Sequence, residues 1–259
     1  MKPVVSILMS VYKEDNALLN KCIQSILTQT YSNFEFIIVD DGASAENISL
    51  IKSFHDLRIK LIRNPKNIGL TKSLNVAIKN SKGNYIARID SDDFSHEERL
   101  SKQIDFLQKN RQYILCGSMS LELNSGVALK QHTKFYQEHS QIIQAICSMN
   151  PFTHSTIMLT RSAIDSIGGY DESFKYAQDY QLVYQLSKVG KLYNIPIPLV
   201  TRTIDQGRIS FSHYKEQLKC SMRTRNQILF DSSIPLRLKV STVISLLKSI
   251  IRLYTKKTN

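Results

Sequence analysis

No stretch of this 259-residue chain reaches the roughly 18 uninterrupted apolar residues that a membrane-spanning helix needs. The longest apolar run, Val240 to Tyr254, is broken by Lys248 and Arg252, so the chain is expected not to cross a membrane. Met1-Lys2-Pro3 leads straight into a strand-like run without a cleavage-site pattern, which reads as no secretory leader and retention inside the cell. Cysteine is sparse: Cys22, Cys116, Cys147 and Cys220 form no CxxC pair, which speaks against a zinc site or redox motif and fits a reducing cytosol. No internal repeat appears, and no segment rich in Pro, Gly or Ser splits the body.

Acid is the minority charge, with 22 Asp and Glu against 34 Lys and Arg, a formal net charge of +12. From His213 onward ten Lys and Arg face only Glu216 and Asp231, so this end alone carries +8 of the +12. A basic end on a nearly balanced body points to a polyanionic surface, either nucleic acid or the anionic inner leaflet of a membrane. Drawn as a helix, Ile234 to Tyr254 puts Leu236, Val240, Val243, Ile244, Leu247, Ile250, Ile251 and Tyr254 on one face, with Arg237, Lys248, Arg252 and Lys256 toward the flank. A nucleic-acid binder interleaves its basic residues with aromatics, whereas here they alternate mainly with aliphatics. The expectation is therefore peripheral contact with an anionic membrane and no nucleic acid; a helix packed on the body has the same periodicity and stays open.

Upstream, strand and helix patterns alternate. Val4 to Ser10 is β-branched, Ala17 to Gln29 has helical spacing, and Phe34 to Asp41 reads as a buried strand followed by a helix from about Ala45 to Phe54. Ile59 to Arg63, Gly69 to Asn80 and Asn84 to Asp90 continue as strand, helix and strand. Ser95 with Glu97 and Glu98 reads as an N-cap and acidic first turn for a helix over Arg99 to Lys109. Tyr113 to Phe135 suggests a short strand pair around Asn124-Ser125-Gly126, Ile157 to Leu159 a strand, Arg161 to Ile167 a short helix, and Asp179 to Val189 a helix capped by Gly190. Such alternation predicts an α/β fold with a doubly wound, mostly parallel sheet, whose ligands lie beyond the carboxyl ends of the strands. Ser10-Val11-Tyr12, Asp40-Asp41 and Asp90-Ser91-Asp92-Asp93 all fall at such ends.

Three carboxylates in four residues, after a strand, are costly unless a cation arrives. Alternate carboxylates in an extended turn suit Mg²⁺ or Mn²⁺, which prefer hard oxygen ligands shared with substrate phosphates. The same acids also suit a helix N-cap. Asp40-Asp41-Gly42 is either a tight loop or a carboxylate set to accept from a base imide or a ribose hydroxyl.

Taken in order, Ser6 to Tyr12, Gln29 to Ser44, Asn67-Ile68-Gly69-Leu70, Asp90 to Asp93, Asn150-Pro151-Phe152-Thr153-His154-Ser155-Thr156, Gly168-Gly169-Tyr170-Asp171 and Ala177 to Leu182 resemble the family-2 inverting glycosyltransferases. The resemblance spans roughly Pro3 to Ser210. It implies a Rossmann-like GT-A fold over residues 1–212, binding a nucleotide-sugar within about 1–110 and an acceptor within about 111–212, with 213–259 as a basic helical extension. It further implies transfer of a hexosyl or N-acetylhexosaminyl group, from a UDP-linked donor, to a glycolipid or oligosaccharide acceptor. The setting implied is bacterial surface-polysaccharide synthesis at the cytoplasmic face of the membrane, with Mn²⁺ or Mg²⁺ as cofactor.

By position, Tyr12 resembles the residue flanking the base, beside Ser10, and Asp41 the acid reading the uracil or thymine edge. Asp92 resembles the metal ligand of a DXD motif and Asp90 a holder of the ribose and diphosphate. Lys72 is a phosphate neighbour or a plain surface lysine. Asp179 resembles the general base, or a helix N-cap, and follows Gln178 where the family commonly has Glu. His154 takes a supporting role near acceptor or diphosphate, and Arg202, Arg208 and Ser210 fall where the family has a basic loop over the donor. Two other readings remain open: a nucleotide-sugar binding module without catalysis, and a nucleotidyltransferase, against which stands the lack of a glycine-rich phosphate loop before the first helix.

Overall fold

In the computed structural model, residues 3–124, 127–131, 135–204 and 213–255 are described. The first half runs β1 (Val5–Val11), α1 (Asn16–Leu27), β2 (Phe34–Asp40), α2 (Ala45–Ser53), β3 (Ile59–Arg63), α3 (Leu70–Asn80), β4 (Tyr85–Arg88), β5 (Phe94–Ser95) and α4 (Arg99–Lys109). The second half runs β6 (Tyr113–Asn124), β7 (Val127–Gln131), α5 (His139–Ile146), a 3₁₀ turn (His154–Thr156), β8 (Met158–Thr160), α6 (Arg161–Ser166), α7 (Gln178–Ser187), β9 (Lys191–Ile204), α8 (Tyr214–Phe230) and α9 (Leu236–Thr255).

The strands form one sheet in the order β3-β2-β1-β4-β8-β6-β9-β5, with β7 off β6. β3, β2, β1 and β4 are mutually parallel, β8 runs antiparallel to both β4 and β6, and β9 is parallel to β6. Strand order reverses at β1, whose neighbours are β2 and β4, and this opens a crevice at the carboxyl ends. Alternation along the strands sends side chains to two cores. Ile7, Met9, Phe36 and Ile38 pack on the α1 and α4 side, Leu8, Ile37 and Val39 on the side of α3, α5 and α7.

Local chemistry sets the element ends. Asp15 caps α1 by accepting from Ala17 and Leu18 N–H, and Ser44 caps α2 by accepting from Asn47 N–H. Ser95 does not cap α4. It lies in β5, opposite Val200 of β9, and its N–H donates to Ser25 Oγ. Glu98 takes the cap position without a side-chain bond. The segment after Tyr113 is a longer strand than its weak alternation suggests, because β6 gains pairing from β8 and β9, which are distant in sequence.

The last helix forms where the periodicity places it, but it docks by its small polar side. Thr242 and Ser249 are buried, while Leu236 is 80% and Tyr254 86% exposed, and Val240, Val243, Ile244, Leu247, Ile250 and Ile251 are exposed between them. A helix packed for its apolar stripe would bury those residues instead. No helix among the described residues is long and apolar enough to cross a membrane.

Candidate active site

The crevice between β1 and β4 collects the residues that spacing alone singled out. Val11 O accepts from Asp41 N–H at 2.8 Å, which locks the ends of β1 and β2 together. Ser10 is half-buried and Tyr12 is 45% exposed. Gly42 adopts φ +95°, and a Cβ there would stand 3.4 Å from Tyr12 Cε2, so the tyrosine ring lies against a residue with no side chain.

Asp40 and Asp41 are both buried, and both organise backbone. Asp40 accepts from Gly42 and Ala43 N–H and pairs with Arg63 Nε at 2.9 Å. Asp41 Oδ1 accepts from Asn64 Nδ2 at 2.9 Å and Ile68 N–H at 2.8 Å, and Oδ2 accepts from Gly69 N–H at 2.9 Å. A carboxylate offers about four acceptor positions, so holding the 64–69 loop and the start of α3 leaves Asp41 about one for a ligand. Lys72 is exposed in the first turn of α3.

Asp90, Asp92 and Asp93 gather so that one ligand atom from each lies within 4.8 Å of the others. They are not equivalent. Asp90 is paired with Arg88, which is only 2% exposed, and Asp90 Oδ2 accepts from Ser155 Oγ at 2.8 Å. The same hydroxyl accepts from Arg88 Nη1 and from Asp90 N–H, both at 3.1 Å. Partial burial pushes the Asp90 carboxyl up, but the Arg88 guanidinium and the Ser155 bond outweigh it and hold it well below the usual carboxylate range. Asp93 is buried and accepts from Thr203 N–H at 3.3 Å, which ties the turn to β9. Asp92 is half-buried, with its carbonyl oxygen held by Thr203 Oγ1 at 2.7 Å. An all-oxygen donor set of this kind fits Mg²⁺ or Mn²⁺.

Arg88 itself escaped the sequence reading, where it stood inside the run Asn84 to Ile89 taken as apolar. A lone cation in a strand bounded by Ile and Ala was the available signal, since Arg is seldom buried unless paired. Arg99, fully buried, supports it from α4: Nη2 donates to Arg88 O at 2.7 Å and Nε to Gln103 Oε1 at 3.1 Å. Burial lowers the Arg99 guanidinium to about 10, which leaves it charged at neutral pH.

On the other wall, Ala177 in left-handed conformation (φ 51°) turns the chain into α7. Ala177 occupies the cap position, so Asp179 belongs to the first helical turn and is not the N-cap. Asn150 Nδ2 donates to Asp179 Oδ2 at 2.8 Å, and Asn150 Oδ1 accepts from Phe152 N–H at 3.0 Å. Burial raises the Asp179 carboxyl above an ordinary aspartate, against the Tyr180 N–H, Asn150 and Arg88, which favour its ionised form. Gln178 beside it is buried.

His154 Nε2 lies 2.7 Å from the Tyr170 hydroxyl, and burial, then Arg88, keep its imidazole neutral, well below an ordinary histidine. That suits a supporting contact rather than a titrating one. Arg202 is not in a loop. It sits in β9 opposite Glu122 of β6 and pairs with it at 3.6 Å. Arg208 and Ser210 lie outside the described residues.

The sheet edge thus carries an acidic cluster, and a separate, half-buried carboxylate is held by an amide. The sequence profile of glycosyl transferase family 2 matches residues 6–168, which is more than half of the chain. The chain belongs to glycosyl transferase family 2. This glycosyltransferase is 28% identical, over a 260-residue alignment, to an uncharacterized glycosyltransferase of Haemophilus influenzae, covering 95% of this chain and 80% of the relative. The amylovoran biosynthesis glycosyltransferase AmsE of Erwinia amylovora is 28% identical over 195 residues, 74% of this chain and 73% of AmsE. Among solved structures, Staphylococcus aureus TarS in complex with UDP-GlcNAc superimposes with a TM-score of 0.75 at 18% identity, over 100% of this chain and 74% of that one. The mannosyltransferase PcManGT of Pyrobaculum calidifontis, in complex with GDP-Man and Mn²⁺, superimposes with a TM-score of 0.69 at 14% identity, over 100% and 77%. At such identities the two structures establish the GT-A fold of the glycosyltransferase and nothing finer.

Proposed function

We propose that this glycosyltransferase moves a sugar, with inversion, from a UDP-linked donor to a hydroxyl of a lipid-linked or oligosaccharide acceptor in surface-polysaccharide synthesis. The observation that carries the reading is the placement of Asp179, half-buried and held by Asn150, beside the crevice where Asp90, Asp92 and Asp93 converge. Single displacement needs a base for the acceptor proton and stabilisation of the leaving diphosphate. Asp179 takes the proton from the acceptor hydroxyl, and its raised basicity suits that role. Asp92 holds the Mn²⁺ or Mg²⁺, which when bound sets positive charge against the departing diphosphate. Asp90, preset by Arg88 and Ser155, receives the ribose and diphosphate end. Ser10 and the Tyr12 ring flank the base, and Asp41 offers its remaining acceptor position to the imide N–H. Lys72 approaches the phosphates, and His154 and Gln178 line the acceptor side.

The relatives support the setting: AmsE is by its name a polysaccharide-biosynthesis enzyme, and TarS was solved with UDP-GlcNAc. A screen of UDP-, dTDP- and GDP-sugars with Mn²⁺, read by nucleotide release, is expected to give its largest rates with UDP-sugars. A GDP- or dTDP-sugar turned over faster than every UDP-sugar overturns the donor assignment.

We read residues 1–212 as the transferase body and 213–259 as an extension that rests on an anionic membrane, at the cytoplasmic face. The exposed stripe of α9 is flanked by Arg237, Lys239, Lys248 and Arg252, which matches anionic headgroups. Moving one Leu or Ile side chain from water to hydrocarbon contributes about 1.5–3 kcal/mol, so losing two is felt strongly. The double variant Leu247→Asp, Ile251→Asp is expected to lose most of its co-sedimentation with phosphatidylglycerol-containing vesicles while keeping its melting temperature. Undiminished co-sedimentation would remove α9 as the contact.

A further inference from the structure

Arg225 of α8 is 8% exposed, and no carboxylate forms an ion pair with it among the described residues. A buried cation without a counter-ion is costly, and what compensates here is a set of oxygens at one place. Its Nε donates to the carbonyl of Ser148 at 3.0 Å and its Nη1 to Ser249 Oγ of α9 at 2.8 Å. Ser245 Oγ, one turn earlier on α9, donates to the same Ser148 carbonyl at 3.0 Å. The Tyr180 hydroxyl donates to the Ile146 carbonyl, and the Arg225 guanidinium lies 5.9 Å from the Tyr180 ring. The segment from Ile146 to Asn150 is thus pinned by three helices, and two residues beyond Ser148 stands Asn150, whose amide holds Asp179.

We propose that Arg225 is a positioning residue for sugar transfer: by clamping the Ser148 carbonyl it fixes Asn150, and through Asn150 the carboxylate of Asp179, with α9 as the second jaw of the clamp. The inference rests on the reading of Asp179 as the base. It explains why α9 docks through Ser245 and Ser249 rather than through its apolar stripe, since Ser249 Oγ completes the arginine fork and Ser245 Oγ gives the Ser148 carbonyl its second donor. Lysine cannot replace it, because a point charge on a flexible stem does not span a carbonyl and a hydroxyl in fixed geometry.

The test is a titration of the Asp179 carboxyl in the full chain, by carbon NMR of protein labelled at aspartate Cγ, with the resonance assigned by its loss in Asp179→Asn. The Asn150 amide favours the ionised carboxylate, so loosening it moves the midpoint upward. Arg225→Lys, which keeps the charge and leaves Asp179's other neighbours Arg88 and Tyr170 in place, is expected to raise the midpoint by about 0.5–1 pH unit. Ser245→Ala, which removes one of two donors to the same carbonyl and leaves Arg225 intact, moves it the same way by less, and stands in if the arginine variant does not fold. A midpoint unchanged in both overturns the clamp, whatever happens to melting temperature. If instead Asp179→Asn retains full transfer activity, the base reading falls, while a moved midpoint still upholds the clamp.

Discussion

Asp179→Asn is expected to lower kcat by roughly a thousandfold, within the range general-base catalysis supplies, while the affinity for UDP in the presence of Mn²⁺ stays within about twofold. The substitution preserves shape, and the new amide oxygen still accepts from Asn150 Nδ2, so the first turn of α7 keeps its anchor. What disappears is the ability to take a proton. The proposed nucleotide end of the crevice, Ser10, Tyr12, Asp41 and the 64–69 loop, makes no hydrogen bond to Asp179 among the described residues and is expected to be untouched. The pH dependence follows from the sign of the shift. A base works only when ionised, and burial raises the Asp179 carboxyl above an ordinary aspartate. The acid limb of kcat/KM, which reports the free enzyme, therefore falls at a higher pH than an exposed aspartate would give, and the variant lacks that limb. Near-normal turnover in the variant would move the base elsewhere, and a wild type without turnover would leave the chain a nucleotide-sugar binding protein.

Asp92→Ala is expected to cost a comparable factor, about a hundred- to a thousandfold in kcat at saturating Mn²⁺, because charge stabilisation at the leaving group is worth several kcal/mol. Nucleotide affinity is expected to fall as well, since an ion held by Asp92 would also attract the diphosphate in the ground state. Calorimetric titration of UDP with and without Mn²⁺ separates the two aspartates: the metal-dependent part of the binding vanishes in Asp92→Ala and survives in Asp179→Asn. The choice of Asp92 over its neighbours comes from their partners. Asp90 already neutralises a buried arginine, and Asp93 is turned inward to Thr203. A variant that keeps the metal-dependent binding and near-normal turnover would pass the ligand role to another carboxylate.

Much of the fold was legible along the chain. β3 over Ile59–Arg63 and α4 over Arg99–Lys109 match their sequence readings residue for residue, because their apolar spacing is local and unambiguous. Ser95 misled for an equally physical reason. A serine followed by two glutamates is a good cap on paper, but β9 arrives from a hundred residues away and makes it a strand. Arg88 was hidden in part by the same kind of distance, since Ser155, which bonds its guanidinium, is far along the chain, although Asp90, its ion-pair partner, stands two residues away. Asn150 stood in a motif without a role, and Arg225 was one basic residue of the tail among ten: their partners, Asp179 for the first and Ser148 and Ser249 for the second, lie elsewhere along the chain.

The order and type of the elements, the acids at the strand ends and the amphipathic period of the last helix were determined by the amino-acid sequence itself. They depend on side-chain spacing against fixed helical and strand periods, which any reader of the chain can count. Tertiary structure alone decided which aspartate pairs with the buried arginine, which amide holds Asp179, and which face of α9 meets solvent. Those outcomes turn on desolvation and on hydrogen bonds between distant segments, and a linear pattern carries neither.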